Sequence, residues 1–153
     1  MLYYRSGYAG LYVHFPYCIH KCSYCDFYSV GIGKNPTPNQ QTLFENYRKE
    51  FDLRLSLDPK IMDYKFDTIF IGGGTPSLAN LDLLAQLLEY IKSKLYFEDN
   101  TEFTMEMNPE DISPELLSQM HKIGVNRVNA GIQSFNKDLL ITLDRYNDEE
   151  KYS

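Results

Sequence analysis

The chain is short of cysteine, with three in 153 residues, and it has no tryptophan at all. Three is an odd number, and the N-terminal MLYYRSGYAG lacks the basic-then-apolar layout of a secretion signal, so a disulfide framework is not expected. No apolar run approaches the ~20 residues needed to cross a bilayer. Both absences lead to the expectation of a cytoplasmic protein without a membrane span. Positive charge is also scarce: 15 basic against 21 acidic residues give a net charge of −6. No basic block or stripe marks a nucleic-acid surface, so no nucleic-acid partner is expected. With 43% hydrophobic and 24% charged residues, the composition is that of one ordinary globular domain able to bury a core.

What the chain does contain is concentrated. Cys18, Cys22 and Cys25 all fall within the run HFPYCIHKCSYCDFYS. An iron–sulfur cluster held by thiolates normally takes four cysteines, so three at this spacing can hold three irons of a cubane and leave the fourth open to a ligand. Zinc is the competing reading, because His14 or His20 could complete a Cys3His tetrahedron. Pro16, Tyr17, Tyr24, Phe27 and Tyr28 surround the thiols with apolar and aromatic surface, which limits water access and tunes a metal centre.

Strand and helix patterns alternate along the chain. Gly10 to Phe15 reads as a first strand, with the cysteine loop directly after it. A Gly/Pro/Asn-rich connector, Gly31 to Gln40, leads to a helix over about Gln41 to Leu57, carrying Phe44, Tyr47, Phe51 and Leu55 on one stripe. Phe66 to Gly72 is an apolar run of the buried parallel-strand kind. It is followed by the loop Gly72 to Ser77 and a helix from about Asp82 to Leu95 with Leu84, Leu87, Leu88, Ile91 and Leu95. Glu102 to Met107 is a third strand. Ser113 and Pro114 then signal a helix start, Leu116, Leu117, Met120 and Ile123 its apolar face, and Gly124 its stop. A fourth strand is expected from about Asn126 to Ile132, and a last short helix from Asn136 to near Asp144.

Four βα units in succession imply a parallel sheet with right-handed crossovers. The unusual loops then all lie at strand C-termini, where such sheets and barrels place ligands. In IGGGTPS, three glycines after a strand make either a tight turn or a shelf whose uncovered backbone lets a small polar ligand approach. On the second reading Thr75 adds a hydroxyl, and a side chain at Gly74 would block the ligand. The loop lacks the lysine of a P-loop and the spacing of GxGxxG. Glu106 at a strand end would need a partner if it faced inward. Gln133 offers two amide donors and one acceptor to the same mouth.

YVHFPYCIHKCSYC, IFIGGGTPS, EMNPED and GIQSFN, in this order and spacing, resemble the N-terminal part of the radical S-adenosylmethionine (SAM) proteins related to oxygen-independent coproporphyrinogen III oxidase, over about residues 10 to 146. The resemblance implies an α/β fold, a partial TIM-type (βα)n barrel of the radical SAM type, of which about four βα units are present. It further implies a [4Fe-4S] cluster on Cys18, Cys22 and Cys25. The open iron of that cluster chelates the amino and carboxylate groups of S-adenosylmethionine, and reduction splits the sulfonium to a 5′-deoxyadenosyl radical. By the same resemblance Tyr12, Tyr24, Gly73, Gly74, Thr75, Glu106, Gln133 and Arg145 line the SAM site.

One position separates two branches. The oxidase is similar to CxxxCxxCxC, whereas this chain has Phe27 in place of the further cysteine. CDF resembles the heme chaperone branch of HemW type, which implies heme as a ligand, a heme-acceptor protein and an electron donor as partners. Chaperone-branch sequences usually read LGRxH where this chain has LDRYN, with Asp144 for the glycine and Asn147 for the histidine. The family fold is a partial (βα)6 barrel followed by a C-terminal domain. Residues 1–153 are therefore expected to be the N-terminal portion of a radical SAM core, truncated, with the edge of the fourth strand and apolar helix faces exposed and marginal stability. Two other readings stand beside the chaperone: a true oxidase of porphyrin biosynthesis, and a zinc-stabilised binding module or inactive remnant.

Overall fold

The computed structural model describes residues 7–33, 35 and 38–145; Asn147, named above, lies outside the described residues. Four long strands form one parallel sheet: β1 (Tyr8–Phe15), β4 (Lys65–Gly73), β5 (Tyr96–Met107) and β6 (Arg127–Ala130), adjacent in that order. Two-residue strands β2 (Tyr17–Cys18) and β3 (Val30–Gly31) pair separately beside it. The crossovers carry α1 (Gln40–Leu57), α2 (Leu81–Lys92) and α3 (Pro114–Lys122), and α4 (Lys137–Thr142) follows β6.

Alternation along each strand separates two faces. Val13 and Phe15 of β1, Ile69 and Ile71 of β4, and Phe103 and Met105 of β5 all belong to the buried core, which α2 completes with Leu84, Leu87, Leu88 and Ile91. Each of these side chains contributes about 1.5–3 kcal/mol through its removal from water. The other face is built in rows by the strand register. Tyr12, Phe70, Thr104 and Arg127 stand side by side across the four strands. In the row above, His14 pairs with Gly72 and Glu106 with Asn129. This face is polar, with Tyr12 stacked on Phe70 at 6.1 Å and Arg127 donating to Thr104 at 3.1 Å.

Local signals account for the helices. Asn39, Asn80, Ser113 and Asn136 each cap a helix start by accepting backbone amides with their side chains. Gly124, at φ +98°, ends α3 as a left-handed residue that glycine adopts freely. On the outside, Asp52 of α1 accepts from Lys94 at 2.8 Å and from the Tyr90 hydroxyl at 2.7 Å, while the Arg48 guanidinium lies 4.1 Å from the Tyr90 ring centre.

Several expectations need correction. β5 begins at Tyr96 rather than Glu102, because its first residues pair Tyr96 with Lys65 and Phe97 with Phe66 before a register shift. α2 stops at Lys92, with Leu95 buried in the turn beyond it. β6 is shorter than expected, and pairing with β5 ends at Ala130. Leu117 is 37% exposed, so α3 buries a narrower stripe than its four apolar residues allow.

Candidate functional site

The loop bearing the cysteines is closed at its root. Tyr17 and Cys18 pair in parallel with Val30 and Gly31, with Val30 N–H donating to Pro16 O at 2.8 Å and Ile32 N–H to Cys18 O at 2.8 Å. Lys21 spans the interior of the loop, its ammonium donating to Phe27 O at 3.3 Å and Ser29 O at 3.2 Å. All three cysteines are free thiols; Cys18 and Cys22 are buried and Cys25 half-buried.

Beside this loop, β4 ends in the glycine shelf. Gly73 has φ +115°, and a Cβ there would lie 2.6 Å from the His14 ring. At Gly74 a Cβ would come within 2.6 Å of Tyr17 O and 3.0 Å of Phe15 O. A substituent at Gly74 therefore collides with the root of the cysteine loop, and the expectation that it would chiefly obstruct a ligand is corrected accordingly. The shelf amides are also engaged: Gly74 N–H donates to Phe15 O at 2.6 Å, Thr75 N–H to Tyr17 O at 2.8 Å and Gly73 N–H to Glu106 Oε2 at 3.3 Å. A ligand over the shelf cannot draw on those three amides.

The loops after β1, β4, β5 and β6 enclose one cavity of about 340 Å³. Its walls hold Cys18, Cys22, Cys25, Tyr24, Gly73, Gly74, Thr75, Glu106, Gln133 and Arg145, ten of the eleven residues singled out from the sequence. Tyr12 is the exception. It stands on the polar sheet face below, its hydroxyl 2.8 Å from His14 Nδ1. Its phenol is held above the usual value, first by partial burial and then by the negative charge of Glu106. Asn108 was missed by the sequence reading and links the walls: its amide donates to Thr75 Oγ1 at 3.3 Å and its carbonyl accepts from Arg145 at 2.9 Å. In sequence, an Asn-Pro pair signals a turn and nothing more.

Glu106 finds the partners its place required, Gly73 N–H on one oxygen and the Asn129 amide at 3.3 Å on the other. Arg145 donates to Gly131 O at 2.7 Å and reaches Cys22 Sγ at 3.7 Å. Its Nε is buried and makes no hydrogen bond among the described residues. Burial raises the Tyr24 phenol above its usual value, with the adjacent Cys22 adding to the shift. Gln133 has a left-handed backbone at φ 66°.

This donor set fits the cofactors the sequence implies. Three thiols not joined in disulfides line the cavity, together with the Glu106 carboxylate and the half-buried Arg145. The zinc alternative fits less well. His14 is committed at both ring nitrogens: Nε2 donates to Tyr28 O at 2.7 Å, so Nδ1 is the acceptor of the Tyr12 hydroxyl. His20 Nε2 lies 2.9 Å from Asp144 Oδ2.

Comparison with known proteins agrees with this geometry. Residues 12–153 match the Radical SAM superfamily. The heme chaperone HemW of Haemophilus influenzae is 42% identical over 137 residues, which take in 89% of this chain and 35% of that protein. HemW of Buchnera aphidicola subsp. Schizaphis graminum is 38% identical over 142 residues, 92% of this chain and 36% of that one. The chain thus spans about a third of the length of these curated relatives. Among solved structures, coproporphyrinogen III oxidase (HemN) from Escherichia coli, a radical SAM enzyme, superposes with a TM-score of 0.71 at 26% identity, covering 94% of this chain and 32% of that one. No helix among the described residues is long and apolar enough to cross a membrane.

Proposed function

The chain belongs to the radical SAM superfamily, and on that premise we propose that it binds a [4Fe-4S] cluster through Cys18, Cys22 and Cys25 and S-adenosylmethionine in the adjoining cavity, as the cofactor-bearing N-terminal part of a cytoplasmic heme chaperone of HemW type. The observation that carries the reading is that the three cysteines, Glu106 and the half-buried Arg145 line one cavity at the C-terminal end of the sheet. When bound, the cluster supplies an open iron for the ligand's amino and carboxylate groups and an electron for its sulfonium.

The chain's own residues do the rest. Arg145 lines the cavity and places a positive charge beside Cys22, which suits an anionic group there. Glu106, oriented by Gly73 and Asn129, presents a carboxylate suited to a hydroxyl or ammonium donor. Tyr24 lines the cavity beside Cys22 and Cys25. The aromatic shield expected from the sequence is not formed in this structure: Phe27 and Tyr28 are 63% and 81% exposed.

Phe27 favours the chaperone branch. It lines the cavity and is 63% exposed, in the place where the oxidase pattern has a further cysteine. The chaperone reading brings heme as the ligand transferred, an acceptor protein and an electron donor. The test is an electron paramagnetic resonance spectrum of the anaerobically reconstituted, dithionite-reduced chain with and without S-adenosylmethionine. A [4Fe-4S]+ signal that changes on adding the ligand is the expected result. Failure to take up iron, with stoichiometric zinc in freshly purified protein, would overturn the reading in favour of the zinc module.

A further inference from the structure

We propose that Asp144 is a positioning residue for the cysteine loop: it clips His20 directly and, by bending the backbone after α4, delivers Arg145 to Cys22. The role in cofactor binding rests on the reading above; the clip itself does not.

The end of α4 forms a Schellman turn. Asp144 N–H donates to Ile141 O at 3.0 Å and Arg145 N–H to Leu140 O at 2.9 Å, the pair of bonds that defines this motif. The motif puts Asp144 in the left-handed region at φ 52°, where glycine is the unstrained choice and a side chain has to be held by something else. Here the aspartate's own side chain supplies the hold, with Oδ2 2.9 Å from His20 Nε2 across 124 positions of sequence. His20 lies between the first two cysteines, so this contact grips the loop from within.

The same bend aims the next residue. Arg145 reaches Cys22 Sγ at 3.7 Å while anchored to Asn108 and Gly131. Two successive residues at the end of α4 thus hold the cysteine loop at two points, which a helix running straight on would not do. His20 and Asp144 are 51% and 43% exposed, and a pair that open adds little to global stability. The effect is therefore local, on the loop and on Cys22.

Asp144→Gly separates the clip from the fold, since glycine relieves the backbone and removes only the carboxylate. In the reduced, iron-free chain, peptide-mapped alkylation of Cys22 should be several-fold faster in this variant, with the thermal midpoint unchanged or raised. Asp144→Asn, which tolerates the same backbone and keeps an oxygen acceptor for His20, should restore the parental rate. The double variant Asp144→Gly, His20→Ala should alkylate no faster than the faster single variant, because both remove one contact. In the reconstituted protein, Asp144→Gly should need several-fold more S-adenosylmethionine for the same spectral change. Parental Cys22 reactivity in Asp144→Gly, or additivity in the double variant, would overturn the proposal. If Cys22 responds as expected but no variant, nor the parent, assembles a cluster, the clip stands and the cofactor reading falls.

Discussion

The two faces of the four-stranded sheet use the same strands for different ends. Adjacent residues of β5 show this: Met105 and Thr104 are both fully buried, yet Met105 packs with Phe103, Ile71 and the leucines of α2. Thr104 instead donates to Glu102 at 2.9 Å and accepts from Arg127. Burial on the helix side is secured by apolar area, which is non-directional and adds up over many contacts. Burial on the other side is secured by individual polar partners, each of which can be lost singly. The strand tops inherit the second arrangement: Glu106 and Asn108 are each held by individual hydrogen bonds, and Arg145 keeps one buried N–H without a partner among the described residues.

The contrast can be broken most severely at the loop. Cys22→Ala should abolish the full four-iron complement on reconstitution while leaving far-ultraviolet circular dichroism and the melting transition close to parental, because the helix-side core is untouched; retention of four irons would refute the ligand assignment. Within β5 the contrast can be sharpened. Met105→Ala should lower unfolding free energy by about 2–5 kcal/mol through transfer and cavity effects, and Thr104→Val by only about 1 kcal/mol, the worth of a typical hydrogen bond. Equal losses in urea titrations would mean that the two faces do not differ as described.

The smallest effect lies on the outer surface. Asp52 is held below its usual carboxylate value, first by its hydrogen bond from Lys94 and then by that from Tyr90, and Lys94 is correspondingly raised. A lowered acid contributes stability above its ordinary value and loses it as pH falls through the lowered one; a raised base contributes below its ordinary value and loses it as pH rises through the raised one. The clip between α1 and α2 should thus be constant from about pH 4 to about pH 10. The melting difference between the parent and Asp52→Asn should be flat over that range and shrink on acidification. A difference that grows toward acid would contradict the sign.

Much of this was legible in the sequence because it has a period or a punctuation mark. The leucines of α2, the apolar run of β4 and the cap residues Asn136 and Ser113 each announce an element by local physics. β2 and β3 have no period to read, being two residues each, and exist only because their backbones meet. The start of β5, YFED, looks like a polar loop until Tyr96 and Phe97 find β4. The site was legible as residue types and not as contacts. Nothing in GGGTPS says that its amides are already bonded to Phe15, Tyr17 and Glu106, or that Tyr12 turns to His14 and Phe70 below the cavity. Asp144 is a further case, since its role depends on a residue 124 positions away.

The parallel pairing of Tyr17–Cys18 with Val30–Gly31 has a kinetic side. Because the two ends of residues 19–29 already meet, the entropy of closing that loop is met when the chain folds and not when the loop receives its occupant. On the proposed cluster reading the loop's frame is in place beforehand, so occupancy should follow the supply of iron and sulfide more than the slow search of a disordered segment. By the same reasoning, lengthening the span within residues 26–29 should be tolerated better than any change that unpairs Val30 from the strand beside it.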